Sequence, residues 1–236
     1  HAGIALWRGD FSRAREQAEL AREALGNSLT TDPRWLHATS IVIQATGRLG
    51  DVAALATLAQ ELARADVSLD LWCVLGREQL RVGDHAALER TMRHAEARVA
   101  DSDERAGADH ATLQAHRAML AGDFLTAASW WERARAAFDG LGDRAFAIST
   151  AGEAAFNLFL LGDHDEAEQR TRAALSQAER HGYEHIVAWL WGNLGWIAYE
   201  SERTEEAHRA AEESLARLRQ LDDARLTGTT LALMAL

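Results

Sequence analysis

The residues best placed for chemistry are His181 and His185, four apart with Glu184 between them. On an unbroken helix that spacing puts two imidazoles on one face, where they could grip a metal ion. Gly182 interrupts the pair, so the segment HGYEH reads as a joint between structural units instead. Asp163, His164 and Asp165 form a second candidate cluster. Two carboxylates at that point also suit the first turn of a helix, where the dipole favours anions, and that is the reading adopted. The single cysteine, Cys73, follows Trp72 in an amphipathic pattern. A nucleophilic thiol needs an adjacent base, and none is indicated, so Cys73 is expected to be packed or to line a groove. No phosphate-binding Gly-x4-Gly-Lys-Ser/Thr loop, no Gly-x-Ser-x-Gly and no His-Glu-x-x-His occurs in the sequence. The expectation is a protein that binds rather than catalyses, with no catalytic residue, no cofactor and no metal.

The elements that carry these residues are helical. Ala, Leu, Glu and Arg dominate, and Pro33 is the one proline, a composition that favours helices and suits a sheet poorly. With 47% hydrophobic and 26% charged residues the chain has enough apolar surface to fold throughout. Its formal charge of −11 argues against direct contact with nucleic acid. Cysteine usage fits a reducing, cytoplasmic setting. The most apolar stretch, residues 186–199, contains Asn193 and is shorter than the roughly 18 residues of a membrane span, so no membrane association is expected. Acidic runs such as 202–206 and Glu212-Glu213 read as solvated helix faces.

A Gly-Asp pair recurs at Gly9, Gly50, Gly83, Gly122 and Gly162, at intervals of 41, 33, 39 and 40 residues. Periods of this size mark helical solenoids. Glycine supplies the left-handed backbone that ends one helix, and aspartate caps the next. A sixth copy has Glu202 in place of the glycine, with Glu206-Ala207 matching Glu166-Ala167. Residues 225–236 read as the first helix of a further unit, and the residues before Gly9 as the tail of another, so a repeat is expected to be cut at each end. The prediction is an all-α, right-handed α-α superhelix of about five to six helix pairs, forming a single domain over 1–236.

Trp72, Leu75 and Gly76, and again Trp191, Leu194 and Gly195, spell Trp-x2-Leu-Gly, each seven residues before the turn position. On these residues the chain resembles the tetratricopeptide repeat. Ala2, Ala115 and Ala155 stand at the same small position in other copies, opposite Ala14, Ala127, Ala167 and Ala207 of the second helices, where close approach of two backbones is expected. The second copy departs, with Ile43 and Leu55 there. Trp131 and Trp191 take framework slots, and Trp130 points elsewhere. The forty-residue period is similar to that of the large ATP-dependent bacterial regulators of the maltose-regulator-like and LuxR type. That resemblance implies the sensor portion of a longer, multidomain regulator.

In tetratricopeptide stacks the first helices line the concave surface. By register the groove then carries Trp189, Gly192, Trp196 and Tyr199; Ser149, Gly152, Phe156 and Phe159; Asp109, Thr112, His116 and Met119; and Asp70, Cys73, Arg77 and Leu80. Gly152 and Gly192 are expected to leave room beside the aromatics. The candidate contact residues are Trp189, Trp196, Tyr199, Phe156, Phe159, His116 and Arg77. The expected occupant is a protein, peptide or small effector, and the alternative is a scaffold that self-associates. The Lys and Asn clamp with which chaperone-binding relatives hold a terminal carboxylate is missing from these positions.

Overall fold

The computed structural model describes residues 2–7, 10–26, 32–65, 67–101, 103–221 and 224–235. Among them are thirteen α-helices and no strand. The first three pairs are α1 (Ala2–Trp7) with α2 (Phe11–Leu25), α3 (Pro33–Arg48) with α4 (Val52–Arg64), and α5 (Leu69–Arg81) with α6 (His85–Glu96). The next three are α7 (Glu104–Leu120) with α8 (Phe124–Gly140), α9 (Arg144–Leu160) with α10 (His164–His181), and α11 (Glu184–Glu200) with α12 (Thr204–Leu221). A last helix, α13 (Ala224–Met234), follows. The chain separates into two compact units, residues 1–113 and 114–236, with the boundary inside α7.

Each Gly-Asp pair closes one helix and opens the next. Gly50, Gly83, Gly122 and Gly162 sit at φ of 72°, 76°, 74° and 85°, the left-handed region that costs a side-chain-bearing residue about 1 kcal/mol or more. The aspartate amide after each glycine reaches back to the helix just ended: Asp51 to Thr46 O, Asp84 to Gln79 O, Asp123 to Ala118 O and Asp163 to Leu158 O. The glycine amide does likewise one residue in, as Gly50 does to Gly47 O, which completes a Schellman closure. The same aspartate then turns its carboxylate to the following helix, accepting from the N–H of Ala54, Ala87, Thr126 and Glu166 at 3.0, 2.9, 3.1 and 3.4 Å. Gly9 of the first turn lies outside the described residues; Asp10 caps Arg13 N at 3.2 Å.

Gly142-Asp143, between α8 and α9, repeats the device at a joint between pairs, with Asp143 capping Phe146 N at 3.3 Å. In the sixth copy the backbone closure survives without glycine: Glu202 adopts φ 60°, and Arg203 N bonds to Ala198 O. Arg203 offers no carboxylate, and its guanidinium instead holds Glu168 at 2.6 Å and Glu206 at 2.8 Å.

Small residues mark where helices come closest. A Cβ added at Gly195 would stand 3.5 Å from the Ala207 carbonyl and 2.7 Å from Leu233 Cδ2. One at Gly76 would meet Leu113 Cδ1 at 2.9 Å and Leu88 Cδ1 at 3.3 Å. Ala14, Ala115, Ala127, Ala155 and Ala167 are fully buried. The second copy buries Ile43 and Leu55 and places its glycine one turn later, at Gly47, against α5 rather than against its own second helix: an added Cβ would lie 2.5 Å from Glu78 Cβ. In the first unit the core centres on Trp35, Ile43, Leu62, Trp72, Leu75 and Met92. In the second, Trp131, Phe138 and Leu190 are the largest fully buried side chains among many alanines.

Two predictions follow from these turns and crossings. Glu202→Gly should raise unfolding free energy by about 0.5–1 kcal/mol, and Gly122→Ala, with nothing near its Cβ, should lower it by about 1 kcal/mol through backbone strain alone. Urea denaturation reads both. Gly47→Ala should cost about 1–3 kcal/mol by overpacking against Glu78, whereas Gly107→Ala, whose Cβ would enter open space in a helix interior, should gain about 0.5–1 kcal/mol. Equal effects at the two sites would contradict the close approach of α3 and α5.

Candidate functional site

The positions of α9 and α11 expected to line the groove carry no charge. On α9, Phe156 and Phe159 are half-buried and pair at 5.3 Å between ring centroids, with His164 5.4 Å beyond Phe159. On α11, Trp196 and Tyr199 are half-buried and meet edge to face at 6.4 Å. Asn157 on α9 and Ile197 and Ala198 on α11, which lie between these rings in sequence, are buried, so each helix packs a framework side against its neighbours and leaves its aromatic side partly uncovered.

Trp189 divides its surface. It is half-buried, and the gap left by the missing side chain of Gly152 is occupied by its ring and by Leu190: an added Cβ would lie 2.6 Å from Trp189 Cζ3 and from Leu190 Cδ2. Gly152 is therefore a seat for α11 and leaves no free room, in contrast to the sequence expectation. At Gly192 the nearest atoms are Ser214 Oγ at 3.5 Å and Thr230 Oγ1 at 3.9 Å, again a contact toward neighbouring helices.

His116 is half-buried on α7, and its ring meets Trp131 edge on at 4.7 Å. Trp131 is fully buried, as a framework residue should be, and its indole N–H donates to the Met119 sulfur at 3.3 Å. Burial lowers the His116 pKa from its ordinary 6.5 to about 4, so the imidazole is neutral at physiological pH. Trp130 points away and takes the Arg133 guanidinium over its ring at 4.3 Å.

Arg77, in the first unit, is bound to Asp109 at 2.7 Å. Asp109 is nearly buried and also receives Arg105 at 3.3 Å. Burial raises the Asp70 carboxyl above its ordinary value, with the nearby charges of Asp103 and Asp109 adding to the effect. Cys73 is fully buried beside them; burial, and then Asp109, push its thiol well up, which removes any thiolate reactivity. This polar cluster of the first unit is thus an internally paired network.

The other chemical candidates resolve as helix ends. Gly182 takes φ 69° and closes α10, so His181 and His185 fall on different helices, and His181 stacks on Tyr183 at 5.7 Å. Asp163 caps α10, with Asp165 and Glu166 in its first turn. Among the described residues no group of three or more His, Cys, Asp or Glu is arranged to hold a metal. Among the same residues no helix is long and apolar enough to cross a membrane.

Two residues escaped the sequence reading. Asn157 is fully buried, and its Nδ2 donates to Phe124 O at 2.8 Å, tying α9 to the start of α8. The signal was a lone amide inside the apolar run FNLFLL. Trp191, assigned to a buried framework slot, is only half-buried, unlike its counterpart Trp72, which is 1% exposed.

Residues 146–220 match the Tetratricopeptide repeat family. No curated protein sequence matches the chain. Among solved structures, BtubC (BKLC) from P. vanneervenii superposes with a TM-score of 0.66 at 18% identity, over 91% of this chain and 93% of that one. The apo form of RapI gives 0.64 at 16% identity, over 99% and 69%. A Rap protein complexed with Competence and Sporulation Factor gives 0.72 at 14% identity, over 98% and 70%.

The His116 environment has a testable consequence. Between pH 6.5 and 4 the unfolded chain binds a proton at this position that the folded chain does not, so this group makes stability fall as pH drops through that window. His116→Gln should flatten the pH dependence of urea-denaturation free energy between those limits, and an unchanged slope would contradict an imidazole held neutral in the fold. The chain thus has the fold of the helical-repeat solenoids, and within it residues 146–220 match the tetratricopeptide repeat.

Proposed function

We propose that the chain binds a protein, peptide or small effector along the inward face of its first helices, as the sensing portion of a larger bacterial cytoplasmic regulator. The observation that carries this reading is the pair of uncharged aromatic faces, Phe156 with Phe159 and Trp196 with Tyr199, each half-buried on a helix of the segment that matches the tetratricopeptide repeat. Tryptophan and tyrosine supply large contact area at low entropic cost and dominate binding hot spots. Trp189, seated on Gly152, fixes the spacing of α9 and α11 beneath that surface. His116, neutral against Trp131, extends the same chemistry onto α7, whereas Arg77 is held by Asp109 and supplies a charged patch in the first unit. A Rap protein of the same fold has been solved in complex with Competence and Sporulation Factor, which lends support by analogy alone.

A scaffold that self-associates is the second reading, favoured by the leucines at the turns of the second unit: Leu125 is 75% exposed and Leu120 50%. One set of measurements separates the two. Trp196→Ala should leave far-UV helicity nearly unchanged and weaken capture of a partner by about tenfold or more, the loss expected of a hot-spot aromatic. Equal loss of helicity and binding would make Trp196 structural, and an oligomer dissociating on dilution in light scattering would favour the scaffold.

A further inference from the structure

The second helices of the tetratricopeptide segment enclose a groove that the reading above does not use. It has a volume of about 630 Å³ and runs between α10 and α12, floored by Trp191, Leu194 and Ala198 of α11. Its walls carry four glutamates, Glu168, Glu206, Glu212 and Glu213, against two arginines, Arg172 and Arg209. Both arginines are engaged: Arg172 with Glu168 at 2.6 Å, and Arg209 with the Glu205 carbonyl at 3.3 Å. Of the glutamates, Glu168 and Glu206 are held by Arg203 and Glu213 by Arg217. Glu212 has no ion-pair partner among the described residues. The groove is thus an aromatic floor beneath a wall with carboxylate charge in excess.

The chain itself shows what such an indole takes. Trp72 occupies the same register in its own pair, and there His94 stacks on it at 4.5 Å with 9° between planes, while Arg98 lies over the ring at 5.7 Å. Arg22 covers Trp35 at 5.1 Å, and Arg133 covers Trp130 at 4.3 Å. In register with His94 and Arg98 stand Glu213 and Arg217. The first cannot stack, and the second turns away to Glu213 and to Glu184 at 3.7 Å. Trp191 is therefore left half-exposed, with no cation over it among the described residues.

We propose that this groove is a second binding site, which takes an arginine side chain of a basic protein segment, its guanidinium stacked on Trp191 and paired with Glu212. Arginine fits better than lysine because a flat, weakly hydrated guanidinium can lie on an indole face and present donors to a carboxylate at once. The site is independent of the inward aromatic face.

The test uses the whole chain and a fluorescein-labelled alanine-based peptide with two arginines one helical turn apart, read by anisotropy. Saturable binding is expected, with the neutral citrulline version weaker by about tenfold, and Trp191→Leu and Glu212→Gln each weaker by about fivefold. Trp196→Ala should leave the affinity unchanged, so failure here and failure of the inward-face reading are separate results. Circular dichroism checks that Trp191→Leu folds; if it does not, the exposed Glu212→Gln decides. The proposal is overturned if the wild-type chain shows no saturable binding, if the citrulline peptide binds as well, or if the substituted, folded chains keep full affinity. Self-association lost in Trp191→Leu would give the groove to a second copy and would also overturn it.

Discussion

Every helix pair whose turn is described depends on a tight reversal in which one amide closes the helix behind while, in four of the turns, the same residue's carboxylate opens the helix ahead. Asp51, Asp84, Asp123 and Asp163 each do both, so two antiparallel helices are joined with almost no connecting chain. So short a link forces the backbones together a few residues from the turn. Except in the second copy, with Ile43 and Leu55, glycine or alanine stands where they meet, and the series of fully buried alanines follows from that. Once the backbones are close, the remaining apolar stripe of each helix has to be covered by a neighbouring pair, which is why successive pairs pack together within each unit.

The architecture was legible because its causes are local. A glycine needed for left-handed backbone, an aspartate needed as a cap and a Trp-x2-Leu-Gly signature all lie within one helix pair, and each left a mark of fixed spacing. What escaped depends on partners distant in sequence. Gly47, which the repeat pattern does not single out, packs against Glu78, thirty-one residues on. Gly152 reads as empty space until Trp189 is found seated there. Arg77 reads as a free groove cation, yet Asp109, thirty-two residues on, holds it. Trp72 and Trp191 share a motif but differ in exposure, because the covering residues lie on the second helix, where His94 in one copy is Glu213 in the other.

Charge on the second helices shows the same division. The acidic runs read as solvated faces, and most of their side chains do reach water. Other charged side chains link neighbouring helices: Arg15 to Asp51 and Arg22 to Glu61 in the first unit, Arg170 to Glu132 and Arg203 to Glu168 in the second. Each such exposed pair contributes at most about 1 kcal/mol and weakens with salt. Their effect is to neutralise an acidic surface locally, so that like-charged helices can lie side by side.

The buried amide of Asn157 has a further effect on phase. Faces made of alanine and leucine are nearly indifferent to sliding by one helical turn, since one methyl replaces another. A displaced α9 would instead strand the Asn157 Nδ2 away from the Phe124 carbonyl in apolar surroundings, at a cost of about 1–3 kcal/mol. One polar contact thereby acts as a detent in an otherwise smooth track, and holds this stretch of the chain to a single alignment.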